Sequence, residues 1–307
     1  MVAVTVPDIL RFTLADPGYP APLRLLAAPP PVLYAWGRWI PEDAAAVAIV
    51  GSRACSIQGQ MAAEKLAHDL AAHGLTIVSG LARGIDAAAH RGALRAGGRT
   101  IAVLGSGLHR LFPPEHAALA REISGQGAVF SEFPLEMEPL RWNFPRRNRL
   151  ISGLSVGVIV VEAAGRSGAL ITATHAAEQG KEVFAMPGPA GAPMSRGAHA
   201  LLRDGARLVE SAEDVLHDLQ QELTRCLQGL RGQGPAAPPV PGCSTRARLT
   251  PEERPVYAGL SSQPQGVDAL TARTGLAAAQ LLPLLLGLEL KGLARQVPGR
   301  QFVRVAP

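Results

Sequence analysis

Apolar residues in this chain gather into short unbroken runs that end in glycine or a small polar residue. Six stand out: AVAIVG (46–51), LTIVSG (75–80), TIAVLGSG (100–107), AVFSE (128–132), GVIVVEA (157–163) and EVFAMPG (182–188). Runs of this length without polar alternation suit strands buried on both faces, as in parallel sheets. Helical spacing fills most of the gaps, with Met61, Leu66 and Leu70 after Ser56, and an alanine-rich stretch from Asp86 to Leu94. Strands and helices taking turns predict an open, mostly parallel α/β sheet covered on both sides. Glycine and polar residues collect at the C-terminal ends of the runs, the edge at which such sheets bind ligands.

The pattern changes past residue 228. From Gly229 to Gly242 eight of 14 residues are Gly or Pro and none is acidic, which reads as a linker. Beyond it, PEERPVYAGL (251–260), VDALTARTG (267–275) and LAAAQLLPLLLGLELKG (276–292) predict three helices. ARQVPGRQFVRVAP (294–307) alternates around a Pro-Gly turn and predicts a hairpin, so the tail reads as a winged helix. Eight leucines among the 17 residues of the third helix exceed what one face of a small domain buries, which points to a protein contact with the body, a second subunit or another protein. The wing arginines Arg295, Arg300 and Arg304 suit weak, nonspecific contact with duplex phosphates. At the other end, the proline-rich first 40 residues read as an extended lead-in packed on the body. The expected boundaries are therefore 1–40, 41–228, 229–242 and 243–307.

Composition narrows the classes. With 47% hydrophobic residues in 307, a sizeable core is assured, yet no apolar run approaches the ~20 residues that span a bilayer, so membrane insertion is not expected. Three scattered cysteines exclude a disulfide framework and offer no metal spacing. The N-terminus lacks a Lys/Arg-led apolar segment with a cleavage site, so the expectation is a soluble, cytoplasmic protein without cofactor or metal. The formal charge is +5, and 27 of the 30 basic residues are arginine. Codon preference explains much of that ratio, but arginine is also the side chain whose donor fork fits phosphate.

The clustering of those arginines carries the chemistry. GSRACS (51–56) leaves the first run with Gly51, Ser52 and Arg53, a turn able to meet an anion at a helix N-terminus. It matches neither G-x-G-x-x-G nor a nucleoside-triphosphate loop. SGLARGIDAAAH (79–90) places Arg83 between two glycines, with Asp86 expected as the cap of the next helix and His90 in a structural hydrogen bond. RWNFPRRNRLISG (141–153) is the sharpest feature: Arg141, Arg146, Arg147 and Arg149 lie in nine residues with Trp142, Phe144 and Asn148 and no acid. Cations beside planar rings suit a single strand, whose phosphates need neutralising and whose exposed bases stack. In VEAAGRSGALITATHAAEQGK (161–181), Ser167 and Gly168 precede a helix bearing Thr172, and Glu162 reads as a network partner rather than a base.

GSR (51–53), VSGLARGIDAAAHRGAL (78–94), AVLGSGL (102–108), SEFP (131–134), NFPRRNRLISGLS (143–155), VVEAAGRSGALITATHAAEQGKEVFAMPG (160–188) and LLRDGA (201–206) together resemble the DNA-processing protein A (DprA/Smf) family. The resemblance covers about residues 16–220. It implies an extended Rossmann-like fold with a C-terminal winged helix, and a homodimer that binds and protects incoming single-stranded DNA. It further implies that the protein helps load the recombinase RecA during natural transformation, and that it is not an enzyme. Carried over by motif, Arg53 matches a phosphate-contacting arginine. NFPRRNR matches a basic DNA-contacting loop, with Phe144 as base partner and Arg146, Arg147, Asn148 and Arg149 facing the strand. Ser167, Gly168 and Thr172 match a phosphate-side turn. The chain departs from the family at His116 in FPPEH (112–116) and at His199, each where asparagine is usual, and in keeping only the end of an N-terminal helical domain. The alternative from the residues themselves is a nucleotide or nucleoside-phosphate enzyme using the same sheet edge, with Glu162 or Asp86 as base.

Overall fold

The computed structural model describes residues 8–231, 249–297 and 301–305. Two compact units emerge, one reaching to Ala71 and from Leu75 to Ala212, the other taking Ala72–Gly74 and the chain from Glu213 onward. The division precedes the Gly/Pro-rich stretch because composition marks where a chain cannot pack, not where its contacts change partner. Residues 232–242 of the expected linker lie outside the described residues, and 229–231 end a helix.

The first unit holds strands β1 (Ile9–Thr13), β2 (Val32–Gly37), β3 (Ala46–Val50), β4 (Thr76–Ser79), β5 (Thr100–Val103), β6 (Ala128–Ser131), β7 (Gly157–Val160), β8 (Glu182–Ala185) and β9 (Arg207–Leu208). Its helices are α1 (Ala21–Arg24), α2 (Ile57–Ala72), α3 (Ile85–Arg95), α4 (Ala117–Gln126), α5 (Asn143–Gly153), α6 (Gly168–Glu178) and α7 (Arg196–Arg203). The described strands form one sheet in the order β1-β2-β6-β5-β4-β3-β7-β8-β9. All pairings from β6 to β9 are parallel, and β1 and β2 join antiparallel at one edge. All six expected runs are strands of this sheet.

Alternate residues of each strand enter different cores. Ile101 and Val103 share a core with Leu150 and Ile151 of α5, Leu154 just beyond it, and Ala169, Ala173 and Ala176 of α6 on one face. Ala102 and Leu104 meet Ala87 of α3 and Leu119, Ala120 and Ile123 of α4 on the other. The chain builds outward from β3 through β4 and β5 to β6, then returns to lay β7 on the opposite side of β3. That reversal makes β3 the strand at which the sheet order changes direction.

The lead-in differs from the expected extended segment, because it supplies two strands and a short helix to this sheet. Leu33 and Ala35 alternate inward from β2, Leu23 of α1 is fully buried, and the Tyr19 hydroxyl donates to the Pro30 carbonyl at 2.9 Å. Prolines flanking these short pieces hid their period.

The second unit contains α8 (Ala212–Asp218), which begins at its boundary, and α9 (Gln220–Arg231). It continues with α10 (Glu253–Gly259), α11 (Val267–Thr274) and α12 (Ala278–Leu290), and with strands β10 (Gln265–Gly266), β11 (Ala294–Val297) and β12 (Gln301–Arg304). The strands pair antiparallel as β10-β12-β11, one more than the expected hairpin. Val256, Tyr257, Leu270, Leu281, Leu285, Leu288 and Phe302 close the core of this unit. Helix α12 runs through both Pro283 and Gly287, and none of its leucines is exposed. Leu281, Leu285, Leu286 and Leu288 are buried, and Leu282, Leu284 and Leu290 half-buried. Among the described residues no single helix is long and apolar enough to cross a membrane.

Candidate nucleic-acid interface

The β3–α2 turn is built around a carboxylate that arrives from another strand. Ser56 caps α2, its Oγ accepting the Gly59 N–H at 2.9 Å. A capping box would complete this with a Glu or Gln at the third helical position, reaching back to the cap N–H. Gly59 holds that position, and Glu162, beyond β7, does the reaching: Oε2 accepts the Ser56 N–H at 2.8 Å and Oε1 the Ser56 hydroxyl at 2.6 Å. A Cβ at that position would overlap the Glu162 carboxyl group, so any larger residue must push the carboxylate away from Ser56. The Ser52 N–H donates to the Glu162 carbonyl at 2.7 Å, and the Ile85 N–H to the Ser52 carbonyl at 3.3 Å. Three strand exits are thus tied together, and Arg53 projects exposed from among them. Glu162 is the network partner expected, though its donors are a backbone amide and a hydroxyl rather than a cation.

The β4–α3 turn is held from below. Leu81 adopts φ +57°, a left-handed conformation costly for a branched side chain, and is fully buried. Its carbonyl is tied to His116 Nδ1 at 2.9 Å, so the histidine found where the family carries asparagine is a bonded structural group. His199, the other departure, bonds the Gly188 carbonyl at 3.0 Å. Asp86 is not the cap of α3, which begins from Gly84. It is the second residue of the first turn, and its Oδ2 accepts the N–H groups of Gly80 at 3.1 Å and Ala82 at 3.4 Å. His90 bonds Thr100 rather than Asp86 (Nδ1 to Oγ1, 2.7 Å).

The arginine-rich segment corrects a second expectation, because it is the helix α5 and not a loop. Pro145 is its third residue, where the missing N–H had no intrahelical partner to lose. Helical spacing sorts the cluster. Arg147 turns inward, 3% exposed, and donates through Nη1 to the carbonyls of Gly80 (2.9 Å) and Val103. Burial pushes the Asp86 carboxyl up and the Arg147 guanidinium down to about 10, and their mutual attraction opposes both shifts. Arg147 therefore supports the turn and does not face a strand. Asn148 is buried too and donates to the Gly168 carbonyl at 3.1 Å. Arg149 is spent on Glu132 Oε2 (2.5 Å) and the Ala28 carbonyl (2.6 Å). Arg146 remains 61% exposed, 3.4 Å from Glu132 and 5.4 Å from the Phe133 ring centre. Glu132 is the acid missing from the linear run; it arrives from the β6 exit.

Phe144 meets Arg53 across these elements. The guanidinium lies 4.8 Å over the ring centre, and the Phe112 ring is tilted against the same ring at 5.8 Å. Arg53, Gly80, Ala82, Arg83, Phe112, Pro113 and Phe144 line one cleft. Its lining contains cations and rings but no carboxylate. Arg83 sits at the rim, its Nε 2.5 Å from Glu115 Oε1. Of the expected residues, the cleft therefore gathers Arg53, Arg83 and Phe144, with Gly51 and Ser52 in the supporting turn. Ser167 is spent as the cap of α6, accepting from the Ala169 N–H at 3.3 Å; Gly168 is exposed, and Thr172 is buried at 1%. None of these three lines the cleft. Phe112 and Glu115 escaped the sequence reading, although FPPEH follows a glycine-rich strand exit.

The model of the family described as DNA recombination-mediator protein A matches residues 11–220, and that of the DprA winged helix domain matches residues 235–300. Protein Smf of Escherichia coli is 43% identical over 289 residues, covering 92% of this chain and 74% of that one. DNA processing protein DprA of Streptococcus pneumoniae is 45% identical over 209 residues, 68% of this chain and 74% of that one. The X-ray structure of the pneumococcal protein superposes with a TM-score of 0.65 at 44% identity, over 69% of this chain and 74% of that one. DNA processing protein A of Helicobacter pylori, a structure described for its single-stranded DNA binding mode, superposes with a TM-score of 0.62 at 30% identity, over 69% of this chain and 96% of that one. With its α/β unit and its winged helix both matched, the chain belongs to the DNA recombination-mediator protein A family.

Proposed function

We propose that this protein is a non-catalytic single-stranded DNA-binding recombination mediator, and that the cleft between Arg53, Arg83 and Phe144 is where a strand is held. The observation that carries the reading is the Arg53–Phe144 pair inside a lining free of carboxylates. On binding, Arg53 leaves the ring for a backbone phosphate, and the vacated face takes a base. Arg83 and Arg146 extend the cationic path on either side. An acid-free cleft of rings and guanidinium groups fits a strand with exposed bases, since duplex DNA keeps its ring faces stacked. The Helicobacter relative supports the substrate class.

A nucleotide enzyme would need a carboxylate base at the cleft. Asp86 faces inward onto Gly80 and Ala82, and Glu162 is committed to Ser56. The family relationship extends the proposal to a cytoplasmic homodimer that protects incoming DNA and hands it to the recombinase RecA in natural transformation. A weak duplex contact through the winged helix belongs to the same proposal.

The test is titration of labelled oligonucleotides, single-stranded against duplex, at several salt concentrations. Single strands should bind more tightly. Arg53→Ala and Arg146→Ala should each weaken that binding and reduce the log–log salt slope by ~0.7 per lost phosphate contact. Unchanged affinity and slope in both variants would place the site elsewhere.

A further inference from the structure

We propose that Glu115 is a built-in competitor for the DNA strand, a carboxylate that occupies Arg83 in the free protein and must be displaced when a phosphate arrives. The inference rests on the cleft assignment above and adds a control element to it. Arg83 lines the cleft beside Pro113, and Glu115 stands two residues further along the same segment. The ion pair is short, 2.5 Å, although its partners are 58% and 49% exposed. Exposed pairs contribute little to stability, so folding gains little from this one. Yet the carboxylate is not placed at random. It belongs to the short turn Pro114–His116, and His116 anchors that turn to the carbonyl of Leu81, two residues before Arg83. One hydrogen bond thus joins the turn that presents the acid to the turn that presents the base.

Glu132, the acid on the other flank, is built differently. Its side chain is 1% exposed and holds Arg149, itself only 19% exposed, so it belongs to the scaffold of α5. Glu115 contacts Arg83 at the open rim, where a phosphate would approach. A carboxylate in that position mimics the phosphate it yields to, and after displacement it stands beside the strand as a like charge. Both effects lower the affinity of the cleft and favour release of the strand.

The experiment is a double-mutant cycle on the full chain, Glu115→Gln and Arg83→Ala singly and together, titrated with a labelled oligothymidylate at several salt concentrations. Glutamine keeps the shape of the side chain and removes the charge; thermal melts verify that the surface changes leave the fold intact. Glu115→Gln should bind the oligonucleotide about two- to fivefold more tightly, the equivalent of one exposed ion pair. Its salt slope should steepen toward one further phosphate contact, ~0.7. Both gains should vanish in the Arg83→Ala background. Equal or weaker binding by Glu115→Gln overturns the proposal, and so does a gain that survives without Arg83, which would be a general charge effect. Absence of single-strand binding by the unmodified protein is a separate result, one that defeats the cleft assignment itself and this proposal with it.

Discussion

Arg146 and Arg147 are neighbours in sequence, and the structure assigns them opposite consequences on replacement. Arg147 is 3% exposed and is the counter-charge of buried Asp86. Arg147→Met would leave that carboxylate with its two backbone donors and only the weaker attraction of Arg53, and would strip the Gly80 and Val103 carbonyls of a donor. Asp86 and Arg147 attract without direct ionic contact, so the loss combines a buried carboxylate short of its main counter-charge with two carbonyls short of a donor, together up to roughly 3–5 kcal/mol. At ~2–4 °C per kcal/mol for a unit of this size, melting should fall by about 6–20 °C. Arg146→Met breaks only exposed contacts, so its cost should stay below ~1 kcal/mol. A scanning melt of both variants beside oligonucleotide titration separates the two roles: Arg146→Met should lose affinity and keep its melting temperature, Arg147→Met the reverse order of severity. Asp86→Asn added to Arg147→Met should recover part of the loss, since the amide oxygen still accepts from Gly80 and Ala82. If Arg147→Met melts with the unmodified protein, or the second change lowers it further, the buried pair does not support the turn.

Phe144→Ala should weaken single-strand binding by ~1–3 kcal/mol and Phe144→Tyr by much less, and normal titrations for both would refute stacking. His90 gives an acid signature. The Thr100 hydroxyl donates to the Ile77 carbonyl and so accepts from His90 Nδ1, which leaves Nε2 buried without a partner. Burial accordingly depresses the imidazole from 6.5 to about 3. The unfolded chain takes up this proton near its ordinary value and the folded chain refuses it, so stability is full above that value. It is lost as pH falls toward the depressed one, at up to ~1.4 kcal/mol per pH unit. Urea titrations across that range should show the loss, and His90→Leu should flatten it; equal slopes would exclude the buried histidine as the cause. Gly59→Ala tests the remote cap with a reversed sign. Helix propensity alone promises about 1 kcal/mol of stabilisation, whereas the clash with Glu162 demands a lower melting temperature, and a rise would disprove the clash.

Much of this was legible because the strands are buried on both faces and therefore announce themselves as continuous apolar runs. The exits of β3 and β4, with Arg53 and Arg83, were readable for the same reason: glycine and arginine interrupt those runs abruptly. The segment around Phe144 was located but misjudged. Four charges in nine residues suggest a loop facing a DNA strand, whereas Arg147, Leu150, Ile151 and Leu154 repeat at helical spacing and Arg147 is buried near Asp86. Long-range polar pairing left no local trace at all. Glu132 sits apart from the arginines it holds, and Glu162 lies 106 residues from Ser56. The lead-in strand β2 was lost among prolines.

The cap of α2 has a consequence for how the sheet assembles. Its first turn cannot be finished locally, because the acceptor for the Ser56 amide is carried on the chain beyond β7. Helix α2 therefore completes its start only when β7 has docked beside β3, although three other strands lie between the two in the chain. The last parallel strand to return to the centre closes the first helix to leave it. Sub-global openings that release β7 must expose the Ser56 amide as well, so hydrogen exchange at that amide should share the opening free energy of the central strands rather than that of a fraying helix end.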